Sequence, residues 1–531
     1  MLNLLLFSCA RVGAPNGGTR DSLAPKFLGS NIDTTRLNVS RTVKELRLDF
    51  DEYVMLKDFN KNFNVSPPIK KIKKVIPSNL ANKYVLIQWE DTLQANTTYN
   101  FNFGNAIVDN NESNPLPYFN FAFSTGDKID DLFVSGTVKD AMTLIKENQT
   151  AKDNKMVVGL YKAGENLDYK QKPDYITKVD EENYFELNFL PKGEFVIIAF
   201  DDENQNSVYD AGKEKVSFLK EKITLDSTSV RGLKLKLYPS KKVVKYKESK
   251  AINGGLLMTF EGNPETVEVK SLSEDLKDFK VTHAKRSDSV NIWFDAEKSN
   301  LGGTVSKQLK LSYFTPTISD TISVSYKAVK DEFKLSNEAG NLIAPENNFV
   351  INTSLPIENL NTSSWKLESD SIAQDFTAKI SEKNPFKILV NSSFKPTKKY
   401  VLTIPKETVS SYYSSNDKSF QFQFEIDKPE NYGSFTAVIK NKPTAKFWVE
   451  LTNEKGEILY SQFTNASEVS FKNLKPATYI ARIRVDNNGN GFWDEADFAQ
   501  NIAAEDVYIF EKEINVRPLW EIKEDWELIN H

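Results

Sequence analysis

Near its C-terminal end the chain reads "VDNNGNGFWDEADF", with Asp486, Asn488, Asn490 and Asp494 spaced around Gly489 and Gly491. Ca²⁺ takes six or more oxygen ligands. A short loop supplies them when Asp or Asn recurs at relative positions 1, 3 and 5, a carbonyl follows at 7, and acids come at 9 and 12. Asp486, Asn488, Asn490, the carbonyl of Phe492, Asp494 and Asp497 fill those places in order, and Gly491 holds position 6, where the loop turns sharply. The competing arrangement is a polar turn, because Asn, Asp and Gly close turns through Asx hydrogen bonds without any ion.

A second stretch, "FDDENQNSVYDAGKE", places Asp202, Asn204, Asn206 and Asp210 at the same spacing. Ser207 stands where the first loop has its glycine and Lys213 occupies position 12, which leaves Glu214 or Asp201 to complete a shell. The segments leading into the two loops are also alike. "FLPKGEFVIIAFDDEN" and "NLKPATYIARIRVDNN" each run through a Leu, a Pro-containing turn, an aromatic and an alternating strand before the acidic loop. This is an internal repeat, in which each loop is positioned by the strand before it.

At 531 residues the chain exceeds one core, and roughly 100 to 150 residues per domain implies four or five. A net charge of −5, from 68 basic and 73 acidic residues, offers no field for a polyanion, so nucleic acid is not expected as a partner. Phe and Tyr are abundant, helical heptads are scarce, and polar residues crowd between short apolar runs, the make-up of an all-β chain. Phe119, Phe121 and Phe123 share one face of a strand, as do Tyr99, Phe101 and Phe103.

The single cysteine, Cys9 in "LLLFSCARVG", excludes an intramolecular disulfide and any Cys-based metal site. It follows a short apolar run and resembles a bacterial lipobox cysteine, which would be acylated as the mature N-terminus, with residues 1–9 the remnant of a signal peptide. Residues 10–24, "ARVGAPNGGTRDSLA", have nothing to bury and read as a tether. No later run approaches the 18 or so apolar residues of a membrane span.

Residues 25–127 resemble the SbsA-type bacterial Ig-like domain, through "LRLDFDEYV", "VSPP", "LQANTTYNFNFGNAIVDNNESNPLP" and the closing "FAFSTGD". Residues 336–427 repeat that order of elements in "NNFVINTSLPIENL", "FKPTKKYVLTIPKETV" and "SFQFQFEID", and 241–335 suggest a further Ig-like sandwich. The loop-bearing segments, 128–240 and 428–517, resemble prealbumin-like sandwich modules of the carboxypeptidase-regulatory and Cna-B type, some of which carry a calcium loop. The expectation is therefore an all-β chain of tandem β-sandwiches, Ig-like and prealbumin-like, on an N-terminal lipid tether.

The order of modules, with "CARVGAPNGGTRDSLAP", resembles the Ig-like-domain lipoproteins of Bacteroidota. That resemblance implies lipid anchoring in the outer membrane on the extracytoplasmic side, with the cell surface preferred to the periplasmic face. It also implies a partner in an outer-membrane protein complex, the β-barrel assembly machinery among the possibilities with secretion and nutrient uptake. The acidic run that follows the lipid cysteine in the surface-exported members is absent here.

Catalytic signals are sparse. Two histidines, His283 and His531, nearly exclude His-based triads and His-rich zinc sites, and no GxSxG, HExxH or P-loop is present. The expected function is a non-enzymatic structural or interaction subunit. The alternative is a glycan-binding or glycan-degrading lipoprotein, for which some of the seven tryptophans would have to line one exposed surface beside paired acids. The last segment, 518–531, alternates apolar groups with acids, so that Trp520, Ile522, Trp526 and Leu528 share one stripe. Either it folds back as an edge strand of its own module or it docks on a partner, with Trp520 and Trp526 as contacts.

Overall fold

In Glu45–Leu56, Leu46, Leu48 and Phe50 are buried and Arg47 is exposed, so the alternation in "LRLDF" becomes a strand with one wet face. The same period recurs in strands such as Ser319–Tyr326 and Gly433–Lys440, and the fold is all-β, a series of small sheets packed as tandem sandwiches. A single α-helix of four residues, Phe59–Asn62, interrupts it among the described residues. The computed structural model describes residues 21–144, 155–164, 167–303, 305–329 and 331–528. Cys9, the tether up to residue 20, and His531 lie outside them. No helix among the described residues is long and apolar enough to cross a membrane.

The chain divides into two compact units, the first reaching Leu237 except for short stretches beginning at Asp140 and Ala211 that group with the second. The first unit holds two cores. In one, a sheet ordered Phe27–Ser30, Glu45–Leu56, Asn82–Trp89, Ile72–Ile76 faces a sheet of Asn64–Ser66, Thr98–Gly104 and Phe119–Ser124. Its interior is aromatic, with Trp89, Tyr99, Phe101, Phe103, Phe121 and Phe123 all buried, while Phe119 packs at its margin. In the other, Gly193–Asp201 lies between Met156–Lys162 and Val216–Phe218, and Phe185, Phe195 and Ile197 fill the space below it.

The second unit holds three cores. The first is built around Leu256, Met258, Ile292, Leu309 and Leu311, and the next around Phe349, Ile351, Trp365, Leu402 and Phe424. The last is built around Phe435, Val449, Leu451, Ala481 and Ile483. In this last sandwich a sheet of Ile458–Thr464, Phe447–Thr452, Ala477–Val485 and Val507–Val516 faces Glu468–Leu474, Gly433–Lys440 and Glu521–Glu527. The third strand of that second sheet runs parallel to its neighbour, with Ile439 opposite Trp526.

Candidate metal-binding loops

Both acidic loops occupy the same place in their sandwiches. Ala477–Val485 pairs with Val507–Val516, Arg484 opposite Val507, and the loop that opens at Asp486 joins them. Gly193–Asp201 pairs with Val216–Phe218, Phe200 opposite Val216, and the loop that opens at Asp202 joins those. The first backbone anchor is shared too: the N–H of Asp486 donates to the carbonyl of Lys446 at 2.9 Å, and that of Asp202 to the carbonyl of Lys155 at 3.1 Å.

Within the 486–494 loop, the two oxygens of Asp486 accept the N–H groups of Asn490 and Gly491, each at 3.0 Å. Asn488 Oδ1 accepts the N–H of Asn490 at 3.0 Å, and Asn490 Oδ1 that of Phe492 at 2.8 Å. These Asx bonds are what turn the backbone, and Gly489 and Gly491 provide the left-handed residues at φ 71° and 81°. The result brings the position 3 and 5 side chains to that of position 9: Asn488 Nδ2 lies 2.5 Å and Asn490 Nδ2 2.7 Å from Asp494 Oδ2.

The 202–210 loop makes the corresponding bonds. Asp202 accepts the N–H groups of Asn206 and Ser207, Asn204 that of Asn206, and Asn206 that of Val208. Asn204 Nδ2 donates to Asp210 Oδ2 at 2.6 Å. Here the left-handed positions are Gln205 and Ser207, at φ 58° and 62°.

Asp497, which counting puts at position 12, is used elsewhere. Its carboxylate accepts the N–H of Gln500 at the start of the short turn Phe498–Gln500, so it serves as a helix cap. The acid that closes the loop is one the spacing did not identify. Glu505, 6% exposed, accepts the N–H of Asn488 on one oxygen at 3.1 Å and that of Asp494 on the other at 2.9 Å. A signal for it did exist in the repeat: Glu505 and Glu214 both stand two residues before the returning strand, and both are buried. Burial pushes the Glu505 carboxyl up, against the two N–H bonds that pull it down.

Among the described residues no three His, Cys, Asp or Glu side chains gather as a metal site, so any ion here relies on amide and carbonyl oxygens as well as acids. That donor set, Asp486, Asn488, Asn490, the Phe492 carbonyl, Asp494 and now Glu505, is all hard oxygen and fits Ca²⁺. Each carboxylate oxygen that already accepts an N–H keeps a second lone pair. Asp494 has a further partner: Arg286 Nη1 donates to its Oδ1 at 2.7 Å. Burial raises the Asp494 carboxyl, but bonds from Asn488 and Asn490 and the Arg286 charge outweigh it and hold it below the usual range.

The segment preceding the third sandwich also rests on this loop. The N–H of Lys241 donates to the Ala496 carbonyl at 2.8 Å, that of Ala496 to the Pro239 carbonyl at 3.1 Å, and the rings of Tyr238 and Trp493 lie 6.4 Å apart.

The C-terminal stripe takes the fold-back arrangement. Trp526 and Leu528 are buried in the core of the last sandwich, where Trp526 meets Phe510 edge to face at 5.3 Å. Trp526 is therefore withdrawn from any partner surface, a correction that follows from the parallel pairing of Glu521–Glu527 with Gly433–Lys440. Trp520 precedes that strand, stays 47% exposed, and carries the Arg517 guanidinium 4.9 Å from its ring centroid.

The remaining tryptophans do not form an open platform. Trp89, Trp293 and Trp365 are buried in cores. Trp448 and Trp493 flank Arg484, each 5.8 Å away, and the acid beside them, Glu450, is fully buried and paired with Arg482 and Arg484. His283, in the strand Lys280–His283, has Nε2 3.0 Å from the Ser287 carbonyl.

Residues 21–125 match the bacterial Ig-like domain family. No curated protein matches the chain in sequence. Among solved structures the chain is similar to the S-layer protein rSbsC(31-844), at 12% identity over 93% of this chain and 67% of that one, with a TM-score of 0.15. It is also similar to the Bacillus anthracis TIE protein, at 11% identity over 97% and 76% of the two chains, with a TM-score of 0.13. At such TM-scores neither likeness carries an argument about this chain.

Proposed function

We propose that this chain is a non-enzymatic structural or interaction protein, a lipoprotein anchored through Cys9 whose β-sandwiches form part of an outer-membrane barrel complex. What supports the structural role is the composition of the fold itself: an Ig-like N-terminal domain followed by further sandwiches, with hydrophobic side chains committed to their cores. The burial of four of the seven tryptophans, and the pairing of Glu450 with two arginines, speak against the glycan-binding alternative.

The loop at 486–494 is proposed to hold Ca²⁺, with Glu505 completing the shell and the 202–210 loop as a weaker second site. The observation that supports this is the meeting of the Asn488 and Asn490 side chains at Asp494, in a turn that the two oxygens of Asp486 already pin. When bound, the ion would supply charge neutralisation and stiffness at the hairpin; the residues themselves orient the turn and exclude water from Asp486, which is 3% exposed.

Affinity purification of the native protein from detergent-solubilised outer membrane tests the partner. Co-purification of a barrel protein is expected, and its release with a soluble Cys9→Ala variant would tie the complex to the lipid. A chain that leaves the membrane fraction without detergent, or that remains there unchanged after Cys9→Ala, contradicts the anchoring.

A further inference from the structure

The 486–494 loop is gripped from outside by the turn 284–287 of another sandwich in the same unit. That turn is closed by the N–H of Ser287 on the Ala284 carbonyl at 2.9 Å, and Arg286 sits in it at φ 60°, a left-handed conformation that a long side chain rarely adopts. Its guanidinium is shared between two acids: Nη1 donates to Asp494 Oδ1 at 2.7 Å and Nε to Glu265 Oε1 at 2.5 Å. The same guanidinium lies 4.7 Å from the centroid of the Phe492 ring, with the Lys285 ammonium 5.2 Å from it. Lys285 also reaches Glu265 at 3.6 Å.

The acids alone would not mark a regulated site. The cationic group already seated on one of them does. Asp494 faces two ways: Oδ2 points into the loop, toward Asn488 and Asn490, while Oδ1 points out to Arg286.

We propose that Arg286 is a built-in competitor for the cation of this loop, so that a divalent ion bound there loosens the grip of the 284–287 turn. This rests on the Ca²⁺ reading of the loop given above. An ion on the Oδ2 side and a guanidinium on the Oδ1 side are like charges across a single carboxylate. Like charges so placed repel, and that repulsion is the coupling between ion and turn. Coupling of binding free energies is reciprocal, so whatever Arg286 subtracts from cation affinity, the cation subtracts from the contact between turn and loop. Glu265 has the opposite sign, because it offsets the charge of Arg286.

Calorimetric titration of the full chain with Ca²⁺ tests this in four forms: unaltered, Arg286→Ala, Arg286→Gln and Glu265→Gln. Both Arg286 variants are expected to bind about tenfold more tightly than the unaltered chain, and Glu265→Gln more weakly. Damage to the turn would weaken binding in every variant, so the opposite signs separate charge from structure. Equal affinities throughout, or weaker binding in the Arg286 variants, would overturn the coupling and leave the Ca²⁺ site standing. No heat in any form would overturn the Ca²⁺ reading and the coupling with it.

Discussion

The loops at 202–210 and 486–494 spring from the same hairpin of two sandwiches and tie the same backbone N–H groups to the same Asp and Asn positions. They reach that shape at different cost. One uses Gly489 and Gly491 at its left-handed positions; the other forces Gln205 and Ser207 into that region. At the 486–494 loop, Asp494 also pairs with Arg286 of a neighbouring sandwich. The comparison teaches that the Asx bonds are enough to make the turn. Glycine lowers the strain, and the proposed cation binding would be a further use of a turn of this shape.

Asp109 is the reference for an acid that does the turning alone. It is 2% exposed and accepts the N–H groups of Asn111, Glu112, Ser113 and Asn114. Asp109→Ala should give the largest loss, about 3 kcal/mol of local stability, because the turn's N–H groups lose their acceptor. Hydrogen exchange at Ile107–Asp109 checks it, and the loss should be the same with and without Ca²⁺. Burial raises this carboxyl, but the N–H bonds outweigh it and hold it low. A folded value below the unfolded one means its contribution is present above about pH 4 and fades as pH falls through the folded value. Protection factors at these amides, that is exchange corrected for its intrinsic pH dependence, should accordingly fall in acid.

Glu505→Gln comes next. Glutamine has one acceptor where both Glu505 oxygens are used, so one N–H, of Asn488 or Asp494, faces an amide NH₂; the expected cost is about 2 kcal/mol at the 486–494 hairpin. Exchange at the amides of Val507–Val516 reads it. An effect as small as that of a surface substitution would mean Glu505 does not close the loop.

The smallest effects come from exchanging the residues at position 6. Nothing lies within 4 Å of a Cβ built at Gly491, so Gly491→Ala meets only the strain of its positive φ, about 1 kcal/mol. Ser207→Gly relieves the same strain but frees the unfolded chain, leaving a change within about 0.5 kcal/mol of zero. Equal costs at the two positions would break the claim that glycine distinguishes the loops.

Strand alternation made much of the fold legible, since Leu46, Leu48 and Phe50, or Tyr99, Phe101 and Phe103, alternate with polar residues and end on one buried face. The Asp and Asn spacing also pointed to where the backbone turns. Counting did not show that Asp497 caps the turn Phe498–Gln500, through which the loop detours, or that a second acid, Glu505, arrives later to accept the loop's N–H groups. Arg286 was not legible at all: it lies 208 residues before the aspartate it pairs with, and only the packing of sandwiches brings them together. The tail showed its apolar stripe in sequence, but whether that stripe met its own core or a partner depended on a free sheet edge at Gly433–Lys440, which no local pattern announces.

The most direct test of the account is Ca²⁺ binding by loop-specific variants of the full chain. Asp486→Ala with Asp494→Ala should abolish the stronger binding heat, while Asp202→Ala with Asp210→Ala should leave it in place. In the unaltered chain a hundredfold excess over Kd should stabilise the last sandwich by about 2.7 kcal/mol, seen as slower exchange in Ala477–Val485 and Val507–Val516. Binding heat that survives the loss of Asp486 and Asp494, or the absence of any heat from the unaltered chain at millimolar Ca²⁺, would contradict it and leave the loop a polar turn.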